Sequence, residues 1–159
     1  MRLTCQPGLG WRGGQGASQG AGMLKVLIAD DHAIVRKGLK EILRSSAEAT
    51  TVGEASDGLQ ALEQVERENW DVVVLDVTMP GQNGLEVLKR LKRERPQLPV
   101  VMLSMHSGYH YVLGSLKAGA SGYLNKETAP EELLTAIHTA LSGGIYVSRS
   151  LAETLNLDL

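Results

Sequence analysis

From Leu24 onward, short aliphatic runs alternate with segments of helical period. Residues 24–29, 72–75 and 100–103 are nearly unbroken aliphatic runs, the pattern of parallel strands covered on both faces. Residues 52–55 and 122–124 are shorter runs that complete the set. Between them, apolar residues recur at three- and four-residue spacing: Val35, Leu39 and Ile42, then Leu59, Leu62 and Val65, then Leu85, Leu88 and Leu91. Val112, Leu116 and Ala120 mark a fourth helix, and Leu133, Ile137 and Ala140 a fifth, each with one stripe to bury. Thr128-Ala129-Pro130-Glu131 reads as a capping box opening the last helix, with Pro130 in its first turn, and Ser142-Gly143-Gly144 closes it. Strand followed by helix, five times over, makes a (βα)5 chain. Right-handed crossovers wind such a chain into a doubly wound α/β domain, a parallel five-stranded sheet with helices on both faces, here over residues 23–143. Its chemistry is expected in the crevice at the carboxyl ends of the strands, where the strand order reverses.

The flanks carry less. Residues 1–22 hold seven of the 18 glycines and no apolar period, which predicts a disordered extension. Within it, Gly8-Leu9-Gly10-Trp11-Arg12-Gly13 matches G-x-G-x-x-G, but Pro7 rather than a strand precedes it, so no dinucleotide site is expected. No apolar stretch of about 7 to 15 residues follows Arg2, which argues against a secretory signal. Residues 144–159 are expected to be a linker remnant.

Composition narrows the function classes. The 159 residues allow one domain and a modest remainder. Lys and Arg number 16 against 18 Asp and Glu, so the chain lacks the basic field that grips nucleic acid through its phosphates. The single cysteine, Cys5, excludes an internal disulfide framework and a cysteine-rich zinc site, and points to a reducing, cytoplasmic setting. No apolar run approaches the roughly 18 residues of a membrane span. Phe is absent and aromatic residues make up 4%, so the core must be aliphatic.

The residues after the strands bring in chemistry. Asp30 and Asp31 follow the first strand, Asp76 the third, Ser104 the fourth and Lys126 the fifth. Taken singly, an Asp or Ser there caps a helix, Asp76 opens a turn before Met79-Pro80-Gly81, and Lys126 is a solvated lysine. Taken together, they share one edge of the sheet, and capping does not need a lysine facing three carboxylates. Two carboxylates about 4 Å apart repel by roughly 4 kcal/mol at an effective dielectric near 20. A divalent cation relieves that repulsion, and oxygen-only ligands favour a hard ion, Mg²⁺. Such a site suits phosphoryl transfer, with Asp76 as nucleophile and Lys126 balancing the charge of the transferring group.

Asp30-Asp31, the segment Leu75-Asp76-Val77-Thr78-Met79-Pro80-Gly81, Asn83-Gly84-Leu85-Glu86, Leu103-Ser104-Met105-His106 and Lys117-Ala118-Gly119-Ala120-Ser121-Gly122-Tyr123-Leu124-Asn125-Lys126 carry a resemblance. The chain resembles the receiver domain of two-component response regulators over residues 23 to about 150, in the branch whose output domain is a LuxR or NarL type helix-turn-helix. The resemblance implies a flavodoxin-like, CheY-like sheet of strand order 2-1-3-4-5. It implies Asp76 as phosphoacceptor for a sensor histidine kinase, Asp31 as a direct Mg²⁺ ligand, and Asp30 acting largely through water. The backbone carbonyl of Thr78 would complete the metal site. Lys126 would pair with the phosphoryl group, Ser104 would move to bond it, and Tyr123 would change rotamer with Ser104. Phosphorelay signalling and, in full-length relatives, transcription regulation are the implied role, with a homodimer forming on phosphorylation. DNA contact is expected only through an output domain that these 159 residues do not contain. A single-domain regulator acting by protein contact alone is the alternative.

Enzymatic turnover is not expected beyond slow self-dephosphorylation, because no strand-end residue is an obvious general base apart from His106, itself read as a loop histidine. His32 is read as opening the first helix and His138 as a helix residue, with no metal assigned to either. A phosphohydrolase of the haloacid dehalogenase type would need D-x-D, and Thr78 stands at the second position. A flavodoxin-like cofactor binder would need a phosphate-cradling loop where Asp30-Asp31 would repel phosphate.

Overall fold

The computed structural model describes residues 24–46, 50–79, 81–105 and 109–154. The expectations for residues 1–22, Pro80, His106 and the chain beyond Thr154 lie outside the described residues. The chain runs through β1 (Leu24–Ala29), α1 (Ala33–Arg44), β2 (Thr50–Ala55), α2 (Gly58–Arg67) and β3 (Val72–Asp76), then a hairpin of β4 (Thr78–Met79) and β5 (Gln82–Asn83). It continues with α3 (Gly84–Glu94), β6 (Val100–Ser104), α4 (Tyr109–Lys117), β7 (Gly122–Asn125), α5 (Ala129–Leu141), β8 (Tyr146–Val147) and α6 (Arg149–Thr154).

The main sheet has the order β2-β1-β3-β6-β7-β8, with every pair parallel. Its first five strands are the predicted 2-1-3-4-5 arrangement, and β8 is a sixth. Residues 146–154, within the expected linker, pack on the domain. Tyr146 and Ser148 donate their backbone N–H groups to Ser121 and Tyr123 of the neighbouring segment, both at 3.0 Å. Val147 and Leu151 are buried with the core. This strand covers the β7 edge that a five-stranded sheet would leave unpaired.

Two apolar layers sandwich the sheet. On one face Leu39 and Leu43 of α1 join Leu133, Ala136, Ile137 and Ala140 of α5. On the other lie Ala61, Leu62 and Val65 of α2, Val87, Leu88 and Leu91 of α3, and Val112 of α4. The buried residues of both layers are aliphatic or methionine, as the composition requires, with the exception of Tyr123, whose side chain is fully buried; Trp70 and Tyr146 pack partly buried against them.

Capping differs from helix to helix. Asp57 caps α2 by accepting Gln60 N–H at 2.8 Å, and Asn83 caps α3 by accepting Leu85 N–H at 2.8 Å. The capping box at Thr128 does not form. That residue has φ −104° and ψ −4° rather than the extended backbone of an N-cap, and its hydroxyl donates to Glu132 Oε1 at 2.7 Å. Leu59 is exposed, because the buried stripe of α2 runs through Gly58, Ala61, Leu62 and Val65. Gly143, at φ 87°, ends α5 as predicted. Gly84 is fixed by close approach: a Cβ there would lie 2.3 Å from the Asp76 carbonyl oxygen and 2.6 Å from that of Val77. Among the described residues, no helix is long and apolar enough to cross a membrane.

Candidate acidic site at the strand ends

Parallel pairing brings the site together. Ala29 lies opposite Leu75, and Asp76 opposite Leu103, so Asp30 and Asp76 leave adjacent strands where the strand order reverses. Ser104 lies opposite Asn125, and Lys126 N–H donates to the Ser104 carbonyl at 2.9 Å. The turn after β7 thereby swings the Lys126 side chain into the crevice.

There Lys126 Nζ stands 2.9 Å from Asp30 Oδ2 and 3.0 Å from Asp76 Oδ2. Asp30 and Asp76 are buried, and the Lys126 side chain is only 7% exposed. The second oxygen of Asp76 accepts Thr78 N–H at 3.1 Å. Asp30 Oδ1 accepts His32 N–H at 2.7 Å and lies 3.0 Å from the ring nitrogen His32 Nδ1. Asp31, a quarter exposed, has Oδ1 3.2 Å from the same nitrogen. Arg36 donates to the Asp30 carbonyl and is itself held by Glu54 at 3.0 Å, which anchors the acidic turn from α1.

One ammonium therefore faces two buried carboxylates, with Asp31 a third beside His32. Burial, and next the charge of Asp30, push the Asp76 carboxyl up to about 6, against the pull of Lys126 and the Thr78 amide. Burial works to lower Lys126, yet Asp30 and Asp76 outweigh it and hold the ammonium above its ordinary value. A cation fits the remaining demand. Ligand atoms of Asp30, Asp31, His32 and Asp76 lie within 4.8 Å of one another. Buried Asp30 Oδ2 and Asp31 Oδ1 accept no hydrogen bond among the described residues, although Lys126 and His32 stand at ion-pair distance. An oxygen-rich, net negative set of this kind suits a hard divalent ion.

Behind the carboxylates, Ser104 and Tyr123 are both buried and share a side-chain hydrogen bond. Burial pushes the Tyr123 phenol up against the opposing pull of Ser104, with smaller upward contributions from Tyr111 and then Asp76.

The structure thus brings Asp30, Asp31, Asp76 and Lys126 into one cluster. It places Thr78 against Asp76 through its amide, and links Ser104 to Tyr123. Sequence reasoning missed two participants. His32 does open α1, as expected, but its ring also turns back onto both acids. Its place directly after the acid pair was the available signal. Arg36 gave none, because an arginine one turn into an amphipathic helix reads as solvated.

The profile of the response regulator receiver domain matches residues 26–138. The nitrate/nitrite response regulator protein NarL of Escherichia coli K12 is 39% identical over 134 residues, covering 84% of this chain and 62% of the relative. The transcriptional regulatory protein DegU of Brevibacillus brevis is 38% identical over 132 residues, covering 83% of this chain and 56% of the relative. This chain thus spans less than two thirds of the length of either. Among solved structures, a two-component response regulator of the LuxR family from Aurantimonas superposes with a TM-score of 0.79 at 30% identity, covering 84% of this chain and 96% of that one. The isolated REC domain of RcsB from Salmonella enterica serovar Typhimurium, solved with phosphomimetic BeF3⁻, superposes at 0.76 with 27% identity, covering 83% and 98%.

Proposed function

Because the chain belongs to the response regulator receiver domain family, we propose that it is a phosphorylation switch that accepts a phosphoryl group on Asp76 from a sensor histidine kinase. The observation that carries this reading is the buried Asp76 carboxylate held between the Thr78 amide and Lys126 Nζ. In the reaction an Asp76 oxygen attacks phosphorus. The new O–P bond forms as the P–N bond of a phosphohistidine breaks, or the P–O bond of acetyl phosphate, with the electron pair leaving on imidazole or acetate. At pH 7 a carboxyl titrating near 6 is mostly ionised and competent to attack.

Lys126 follows the charge as it moves. Its ammonium, already beside Asp76, is placed to pair with the oxygens of the transferred group. Asp30 and Asp31 would hold Mg²⁺, with Asp76 and the Thr78 carbonyl completing the set. That ion would supply charge neutralisation of the carboxylates and the phosphoryl oxygens.

Ser104 and Tyr123 form the switch. Ser104 gives up its bond to Tyr123 when it turns to the phosphoryl group, and Tyr123 repacks in response. Moving a population from 1:99 to 99:1 takes about 5.5 kcal/mol. Two or three charge-assisted hydrogen bonds made only to the phosphorylated carboxylate supply energy on that scale. Output then passes to protein partners, including a second copy of the chain. In longer relatives it passes to DNA through a further domain, and the setting is the cytoplasm. Turnover is confined to slow self-dephosphorylation.

Intact mass after incubation with acetyl phosphate and Mg²⁺ tests the reading. The expected result is a gain of one phosphoryl group that hydroxylamine removes. No gain with any phosphoryl donor would overturn it.

A further inference from the structure

Away from the acidic crevice, Glu132 in the first turn of α5 gathers four donors. Its Oε1 accepts the hydroxyls of Thr128 and Ser148, each at 2.7 Å. Its Oε2 accepts Tyr146 Oη at 2.8 Å and Arg149 N–H at 3.2 Å. Ser148 is fully buried, and its oxygen in turn accepts Asn125 N–H at 3.0 Å.

Asn125 and Thr128 bracket the turn that carries Lys126. Thr128 N–H closes it onto the Asn125 carbonyl at 3.1 Å, and Asn125 Oδ1 accepts Glu127 N–H at 2.7 Å. Both ends of the turn are therefore tied to a single oxygen, Glu132 Oε1. Thr128 reaches it directly, and Asn125 reaches it through Ser148. The two donors on Oε2 belong instead to β8 and α6, and their hydrogen bonds go to Glu132 and Ser121 rather than to the turn.

A carboxylate is the side chain suited to this position, because it offers acceptor sites to four donors and no hydrogen of its own. Burial works to raise the Glu132 carboxyl. The bonds from Ser148, Thr128, Tyr146 and the Arg149 amide outweigh burial and hold it below the usual carboxylate range, so it is ionised at neutral pH.

We propose that Glu132 and Ser148 are positioning residues for phosphoryl transfer: they fix the Lys126 turn so that Lys126 Nζ meets the group arriving on Asp76. The inference rests on the phosphoacceptor role of Asp76 and extends it to residues outside the crevice. The Lys126 side chain is 7% exposed and pinned by Asp30 and Asp76, which restricts how far it can adjust when the backbone beneath it shifts. A misplacement of about 1 Å costs up to roughly a hundredfold in rate.

The test is phosphorylation of the full chain by acetyl phosphate and Mg²⁺, followed in time by intact mass. This yields both a rate constant and the final fraction modified. A purely structural loss lowers the fraction, whereas misplacement of Lys126 lowers the rate constant. Ser148→Ala and Thr128→Val each cut one tie to Oε1, and each is expected to slow the rate constant about tenfold with the final fraction unchanged. Tyr146→Phe removes a bond of similar length from the same carboxylate but spares the turn, and is expected to stay within about twofold of wild type. The inference is overturned if Ser148→Ala and Thr128→Val both stay within about twofold of wild type. It is equally overturned if Tyr146→Phe slows the reaction as much as they do, since the effect would then come from docking of β8 and α6. Should Ser148→Ala not fold, Thr128→Val decides by the same criterion. An unmodified wild-type chain would overturn the phosphoacceptor role, and this inference with it.

Discussion

Lys126 Nζ stands 3.0 Å from Asp76 Oδ2, although 50 residues separate the two in the chain. The pairing arises because β3 and β7 end on the same edge of the sheet with β6 between them. It sets the cation of the site against the two buried carboxylates, while the more exposed Asp31 stands against His32.

Removing that cation has a direct electrostatic consequence. In Lys126→Met, Asp76 keeps its burial and its Asp30 neighbour but loses the side chain that lowers it. Its carboxyl is expected to titrate above the value of about 6 held in the wild type. Carbon NMR of the Asp76 carboxyl in Mg²⁺-free buffer measures this, and an unchanged midpoint would contradict the pairing. Phosphorylation by acetyl phosphate should also slow by about a hundredfold.

Asp76 itself is expected to cost stability in the metal-free protein. Its folded-state value of about 6 lies above the roughly 3.9 of an unfolded Asp. The folded chain therefore binds more protons between about pH 4 and pH 6, and stability falls as pH rises through that window. Asp76→Asn lacks this contribution. Its melting temperature should exceed that of the wild type by about 3 °C or more at pH 7. The gap should close as the pH is lowered toward about 4, and a gap independent of pH would show that Asp76 does not titrate in this way.

A divalent ion reverses that cost. Mg²⁺ at about a hundred times its dissociation constant stabilises a protein by roughly 2.7 kcal/mol. Thermal melts of the wild type should therefore rise by several degrees on adding Mg²⁺, and those of Asp31→Ala should not. An equal rise in both would place the ion elsewhere.

Gly84→Ala tests the packing beneath the site. A Cβ 2.3 Å from the Asp76 carbonyl oxygen must push backbone apart, because no flexible side chain is there to yield. Destabilisation of about 1 to 3 kcal/mol is expected in chemical denaturation. A neutral result would mean that α3 does not start against the end of β3 as described.

Much of this was legible in the amino-acid sequence, for physical reasons that differ by residue. The runs that became β1, β3 and β6 are long and aliphatic, so burial on both faces was readable. Asp30, Asp31, Asp76 and Lys126 could be gathered because a parallel sheet sends all its strand ends to one edge. β8 was not legible, since Tyr146 and Val147 are two residues whose strand character comes from the free edge of β7. The Thr128 hydroxyl leaves the capping box because its competing acceptor, Glu132, also serves Ser148 and Tyr146, which only the folded chain brings near. The same reason hid the Glu132 cluster, whose members come from the turn before α5 and from the segment of β8 and α6.

The central claim is that the acceptor is the Asp76 carboxylate, and borohydride trapping tests it most directly. The chain is incubated with acetyl phosphate and Mg²⁺, reduced so that any acyl phosphate becomes an alcohol, and digested for peptide mass mapping. Reduction at position 76, and its absence in Asp76→Asn, is the predicted result. Reduction at another acidic residue in the wild type, or a reduced site that persists in Asp76→Asn, would contradict the account.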